Sequence, residues 1–306
     1  MKAIFRKELA DHFSSWRLAI LFVLVFLTSA AGLYSAQQGI RGAATGTEFI
    51  FLRLFTAEGE ILPPLTTFIV LLVPIIGIAL GFDAINREYS SGTISGILSQ
   101  PIFRDSVING KFLAGLVTLS TMMMAIVLIV AGFGLTMIGI PPTSEEIIRL
   151  FLYLFFIIVY GAFWLGVAML FSILFRRIAT SLLTSIALWL LFSFFIALIA
   201  PAIANAIAPT ANGTEAVIQN FQIQQTIMRI SPNYLFSEVT TVLLLPEVRS
   251  LGLVTLGEVV YMILNPLPLV QSLIIIWPHL TSLLSITMVC FAAGYIVFMR
   301  QEIRAV

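Results

Sequence analysis

The chain has 306 residues, of which 59% are hydrophobic and only 10% charged, and its mean hydropathy is +1.06. One water-soluble core of this length cannot bury so much apolar surface, so a soluble domain is excluded and an integral membrane protein is expected. A net charge of +1 with dispersed Lys and Arg gives no basic stripe for nucleic acid, and the single Cys290 excludes a disulfide framework or a cysteine metal site.

Residues 3–17 place Phe5, Leu9, Phe13 and Trp16 three and four apart, with Arg6, Lys7, Glu8 and Asp11 on the other faces. This is the pattern of an amphipathic helix lying in the membrane interface. No small-residue cleavage site precedes the first long apolar segment, which is read as a retained span. Six segments are long enough to cross a hydrocarbon core that needs about 20 helical residues. They cover 18–35, 65–82, 112–138, 150–175, 178–200 and 274–299. None alternates with period two, so the expected fold is an all-α polytopic membrane protein of six transmembrane helices.

Orientation follows from the basic residues in the connections. Lys2, Arg6, Lys7, Arg17, Arg87, Arg104, Lys111, Arg176, Arg177, Arg300 and Arg304 fall on one side, against Arg41, Arg53, Arg149, Arg229 and Arg249 on the other. The first side, with both termini, is expected to be cytoplasmic. The external region 203–272 is expected to form short interfacial or re-entrant helices, because its apolar pieces at 239–245 and 251–264 fall short of a span. Asn212, Gly213 and Thr214 match a glycosylation sequon, but an Asn-Gly turn is the simpler reading.

Between the second and third spans, residues 83–111 form the one long polar segment on the expected cytoplasmic side. Ile85, Tyr89, Thr93 or Ile94, and Ile97 recur at near-helical spacing, which predicts a short surface helix. Pro101 behind Ser99 and Gln100 predicts the start of a second one, carrying Ile102, Val107 and Ile108 on one side. Gly110 and Lys111 then lead into the third span.

The run Glu88, Gly92, Thr93, Leu98, Ser99, Gln100, Pro101, Ile102, Arg104, Lys111 resembles the signature after the second span in permease subunits of type-2 ABC exporters. The amphipathic helix before the first span and the closing block Phe298, Met299, Arg300, Gln301, Glu302 agree with it. The specific motif covers about thirty residues, and the topology covers the whole chain, 1–306, as one permease domain. The resemblance implies a prokaryotic plasma-membrane half-transporter, working with a second permease copy as a homodimer or heterodimer. It implies that 83–111 is the cytoplasmic coupling segment, docked on a separate ATP-binding subunit that uses ATP and Mg, with Glu88, Gly92, Thr93, Pro101, Arg104 and Lys111 as contact and shaping residues. No G-x-x-x-x-G-K-[ST] occurs in this chain, since Gly110 and Lys111 are followed by Phe112. No cofactor or metal is expected on the chain itself.

Other chemistry finds little support. There is no H-E-x-x-H or G-x-S-x-G, and the two histidines, His12 and His279, stand at opposite ends of the chain. Met122, Met123 and Met124 suit Cu(I) by type, but consecutive helical residues point about 100° apart and cannot converge on one ion. An ion-coupled secondary transporter would share the bundle, yet such proteins place charge or broken helices at the midplane. Here only Asp83 lies at a span edge, and Pro74 offers one kink. A scaffold that transmits force without passing a substrate is the remaining alternative. Ser172, Thr180, Ser181, Thr184 and Ser185 could make interhelical hydrogen bonds or line a path, with packing the simpler role.

Overall fold

A computed structural model describes residues 1–41, 49–90, 92, 103–139, 141–249, 251 and 266–301. The described residues are helical or irregular, with no strand among them. In chain order the helices are α1 (Lys2–Phe13), α2 (Trp16–Arg41), α3 (Arg53–Thr56), α4 (Leu65–Gly81), α5 (Asn86–Ser90), α6 (Arg104–Ile138) and α7 (Ser144–Leu174). They continue with α8 (Ile178–Leu190), α9 (Ile196–Ile207), α10 (Thr214–Met228), α11 (Pro232–Leu244) and α12 (Leu269–Arg300). Among the described residues, six stretches are long and apolar enough to cross a membrane: Trp16–Ile40, Leu65–Ser90, Arg104–Ile138, Ser144–Leu174, Ile178–Ile207 and Leu269–Arg300. The six-helix, all-α reading therefore holds, with spans longer than the apolar runs that announced them.

The largest boundary difference is at the third span. A separate helix opening at Pro101 and a span opening at 112 were expected, but α6 runs unbroken from Arg104. No proline follows until after Ile138, and Asp105 in the first turn complements the positive end of the helix dipole. Pro101 itself lies outside the described residues.

The chain divides into two compact units, Met1–Ile186 with Ser282–Val306, and Ala187–Thr281. In the first unit α7 is the central helix, packed against α4 and α6. The contact with α4 depends on the Gly77 and Gly81 pair, a G-x-x-x-G spacing. A Cβ at Gly77 would lie 3.0 Å from the Leu165 nitrogen, and one at Gly81 would lie 2.8 Å from the Leu165 carbonyl oxygen. Only backbones stripped of side chains approach this closely, and in lipid such close packing replaces the hydrophobic effect as the force joining helices.

Pro74 interrupts α4. Having no N–H, it cannot bond the carbonyl of Val70 one turn earlier. The Tyr160 hydroxyl of α7 donates to that carbonyl at 3.1 Å, so the neighbouring helix satisfies the group that proline orphans. At the start of α7, Thr143 and Glu146 form a capping box. The other oxygen of Glu146 accepts from the Phe51 N–H at 2.8 Å. Arg149, fully buried, pairs with Glu145 at 2.8 Å and stands 5.6 Å from the Phe49 ring centroid. These contacts fasten the short segment around α3 to α7.

In the second unit, the fifth apolar helix carries a π turn at Leu191–Phe195. Ser231 donates its hydroxyl to the Phe192 carbonyl at 2.8 Å, and the Asn233 amide donates to the Ser193 hydroxyl. The polar side chains that begin α11 thus satisfy groups at the widened turn. The expected short helices of 203–272 are present as α10 and α11, and the apolar piece 239–245 falls largely within α11. The piece 251–264 lies almost wholly outside the described residues. The turn at Asn212 and Gly213 places Gly213 at φ 105°, a conformation glycine adopts freely.

Glu238 of α11 is buried in the same unit, 2.7 Å from His279 Nε2 of α12 and 3.0 Å from Arg229 Nε. Burial opposes its ionisation, but hydrogen bonds from His279 and Arg229 outweigh that penalty and hold its pKa below the ordinary 4.5. A depressed carboxylate pKa stabilises the fold above the unfolded value, and this contribution is lost as pH falls through the folded value. Thermal unfolding of the detergent-solubilised protein should therefore become easier as the medium is acidified below the ordinary carboxylate range. Glu238→Gln should flatten that part of the profile, and an unchanged profile in the variant would refute the assignment.

Candidate coupling site

The polar segment between the second and third spans is held by contacts to five other helices, made through residues of the first unit. After α4 ends, the Ser172 hydroxyl of α7 accepts from the N–H groups of Ile85 and Asn86 at 2.9 and 3.1 Å. The Ser181 hydroxyl of α8 donates to the Phe82 carbonyl at 2.7 Å. Two of the hydroxyls able to join helices therefore do so at this segment. Asp83 receives both terminal nitrogens of Arg17, at 2.9 and 2.8 Å, in a bidentate pair. Arg17 also donates to the Ala79 carbonyl and lies over the Phe82 ring, so the start of α2 is bound to the end of α4.

Glu88 and Lys111, singled out by the resemblance, come together. Lys111 Nζ lies 2.7 Å from Glu88 Oε1 and 2.8 Å from Glu8 Oε1, and the three side chains are 5%, 10% and 14% exposed. One buried ammonium thus joins α6, α5 and α1. The close approach of α1 explains why the residue before Lys111 is a glycine. A Cβ there would lie 3.1 Å from Ile4 Cγ2, because α1 lies directly across α6 at this point. The Gly-Lys pair near the start of α6 supplies first the close approach and then the ionic bridge.

Arg104 of the resemblance donates from Nη1 to the Gln301 carbonyl at 3.0 Å. The Gln301 side chain accepts from the Tyr89 hydroxyl at 3.2 Å and donates to the Ile173 carbonyl at 2.9 Å. The end of α12 is therefore tied to α5, α6 and α7. Gly92 is exposed with φ 69°, a left-handed position that a side chain would strain. Thr93 and Pro101 lie outside the described residues.

Sequence reasoning missed Glu8, Arg17, Tyr89 and Gln301 as members of this cluster. Their partners stand far off along the chain, with Lys111 and Glu8 separated by 103 positions. Polarity at a helix face was visible, but its pairing was not. The surface left open by the cluster is formed by Arg87, Ser90, Gly92 and Phe103, the last 82% exposed.

The sequence pattern of the ABC-2 family transporter proteins matches residues 2–303. The chain belongs to that family. Among curated relatives of this ABC-2 protein are two named probable ABC transporter permease protein NosY. The Pseudomonas aeruginosa protein is 32% identical over 153 residues, 48% of this chain and 49% of the relative. The Stutzerimonas stutzeri protein is 32% identical over 145 residues, 44% of this chain and 48% of the relative. The chain spans about half the length of each. The chain is thus a membrane protein of the ABC-2 transporter family.

Proposed function

We propose that this chain is the permease half of an ATP-driven exporter, and that its segment 83–111 receives the stroke of a separate ATP-binding subunit on the cytoplasmic side. A second permease copy, identical or related, completes the path, and both termini face the cytoplasm in a prokaryotic plasma membrane. The observation that carries this reading is the Glu8–Lys111–Glu88 bridge. It makes the segment, the amphipathic helix and the root of the third span one block, so that a push on the segment displaces a span rather than bending a loop. Supporting it are the family membership and the word permease in the names of both relatives.

On this reading the charged residues of the motif divide in two. Glu88, Arg104 and Lys111 position the segment from within. Contact with the ATP-binding subunit falls to the exposed Arg87 and Phe103, the kind of arginine and aromatic anchors that dominate interface energies. Phe103→Ala combined with Arg87→Glu should lower the yield of ATP-binding subunit co-purified with the permease by about tenfold or more. Phe103→Ala alone should leave expression and melting temperature unchanged, since that side chain is 82% exposed. Full recovery of the complex with both substitutions in place would refute docking at this surface.

A further inference from the structure

A cavity of about 720 Å³ opens between α1 and the α4–α5 junction in the first unit. Its walls carry the basic side chains Lys7, Arg17, Arg87 and Lys111. Facing them are the acidic Glu8, Asp11, Asp83 and Glu88. The formal charges cancel, so the cavity suits neither a bare anion nor a bare cation. It suits a small group carrying both signs.

Its position narrows the choice. Leu80, in the last turn of the apolar α4, forms part of the wall, so the cavity meets the end of that helix. Ser15 and Arg17 line it, and Trp16 between them is 81% exposed, with Phe13 close by at 47%. Exposed Trp at the end of a span marks the headgroup layer of a bilayer. A site at that level, beside a helix whose amphipathic pattern fits the interface, is within reach of a lipid whose chains remain in the membrane.

The inner and outer groups of the cavity differ in how firmly they are engaged. Lys111 and Glu88 are held at 2.7 Å in a buried pair, and Asp83 is held by both terminal nitrogens of Arg17 at 2.8–2.9 Å. Lys7 and Asp11 at the rim stand 3.9 Å apart with side chains 59% and 62% exposed, a contact that water and ligands readily replace. Lys7 also stands 3.7 Å from Glu8, so a phosphate placed against Lys7 and an ammonium placed against Asp11 would exchange two long ion pairs for two charge-assisted hydrogen bonds.

We propose that this cavity binds the phosphoethanolamine headgroup of a membrane phospholipid, with Lys7 receiving the phosphate and Asp11 the ammonium. Phosphatidylcholine carries the same charges, but its trimethylated nitrogen has no N–H to donate. Phosphatidylglycerol brings a negative charge that the balanced walls leave uncompensated. The cavity shares Arg87 with the surface proposed to meet the ATP-binding subunit, but its choice of headgroup rests on Lys7 and Asp11.

Native mass spectrometry of the full chain in mild detergent tests the proposal, with phosphatidylethanolamine, phosphatidylcholine and phosphatidylglycerol of identical acyl chains added in turn. Phosphatidylethanolamine should be retained about tenfold more tightly than either of the others. The double substitution Lys7→Gln and Asp11→Asn keeps the net charge and should abolish that preference. Arg6→Gln, on the neighbouring position outside the cavity, should keep it. Equal retention of the three lipids would overturn the assignment, as would a preference that survives the double substitution. Asp11→Cys tests the other occupant. Crosslinking of that cysteine to the ATP-binding subunit, with displacement of lipid, would make the cavity a protein-docking cleft and also overturn the proposal.

Discussion

Lys111→Met is expected to cost the fold about 3–5 kcal/mol, the usual result of removing one partner from a buried ion pair. Glu8 and Glu88 would remain with exposures of 14% and 10% and no ammonium between them. The loss should appear as a lower melting temperature of the detergent-solubilised protein and as a broadened peak in size-exclusion chromatography. Methionine conserves most of the side-chain length, so packing alone does not explain such a loss. The decisive comparison adds Glu8→Gln and Glu88→Gln to Lys111→Met. With all three charges gone, the penalty of stranded carboxylates disappears and most of the stability should return. A triple variant as unstable as the single one would show that the ionic bridge is not what Lys111 contributes.

Gly81→Leu should be comparably damaging by a different route. A Cβ at this position already falls 2.8 Å from the Leu165 carbonyl oxygen and 2.9 Å from Ala168 Cβ. Both obstacles belong to the core of α7 rather than to the end of a flexible side chain. The helices must separate, and the van der Waals contacts that join them in lipid are lost along the whole α4 and α7 seam. Overpacking of a core costs about 1–3 kcal/mol and occasionally more, and the upper end is expected where backbone is the obstacle. Expression of properly folded, monodisperse protein is the readout. Gly92→Leu serves as comparison, because a Cβ at Gly92 meets no atom within 4 Å and its penalty is confined to backbone strain. Equal tolerance of both leucines would contradict the assigned role of the Gly77 and Gly81 face.

These two sites differ in how far they could be read from the sequence. Six spans and an all-α fold were legible because an apolar run of spanning length is a property of one stretch of chain. The polar interruption at 83–111 was visible for the same reason. Gly77 and Gly81 were in plain view at their four-residue spacing, yet nothing in that spacing says that Leu165 lies opposite. Lys111 stood out only through a family motif, and its two carboxylates are separated from it by 23 and 103 residues. The start of α6 was misplaced because a proline behind Ser99 and Gln100 looked like the opening of a short helix. A helix that lacks an internal breaker continues through polar sequence as readily as through apolar sequence. Of the hydroxyls at 172, 180, 181, 184 and 185, Ser172 and Ser181 bond other elements, whereas Thr184 and Ser185 donate to carbonyls of their own helix, a division that residue type does not reveal.

Tyr160 and Pro74 carry a consequence for biosynthesis. The carbonyl of Val70 is satisfied by a hydroxyl that lies 90 residues further along the chain. When α4 leaves the ribosome and enters the bilayer, α7 has not yet been made, and this carbonyl has no partner within its own helix. The second span therefore begins its life in the membrane incompletely bonded, and water or the insertion machinery must serve in the interval. The fourth span completes it on arrival, so that assembly of this pair is driven by a debt in the backbone as well as by the fit of its glycines.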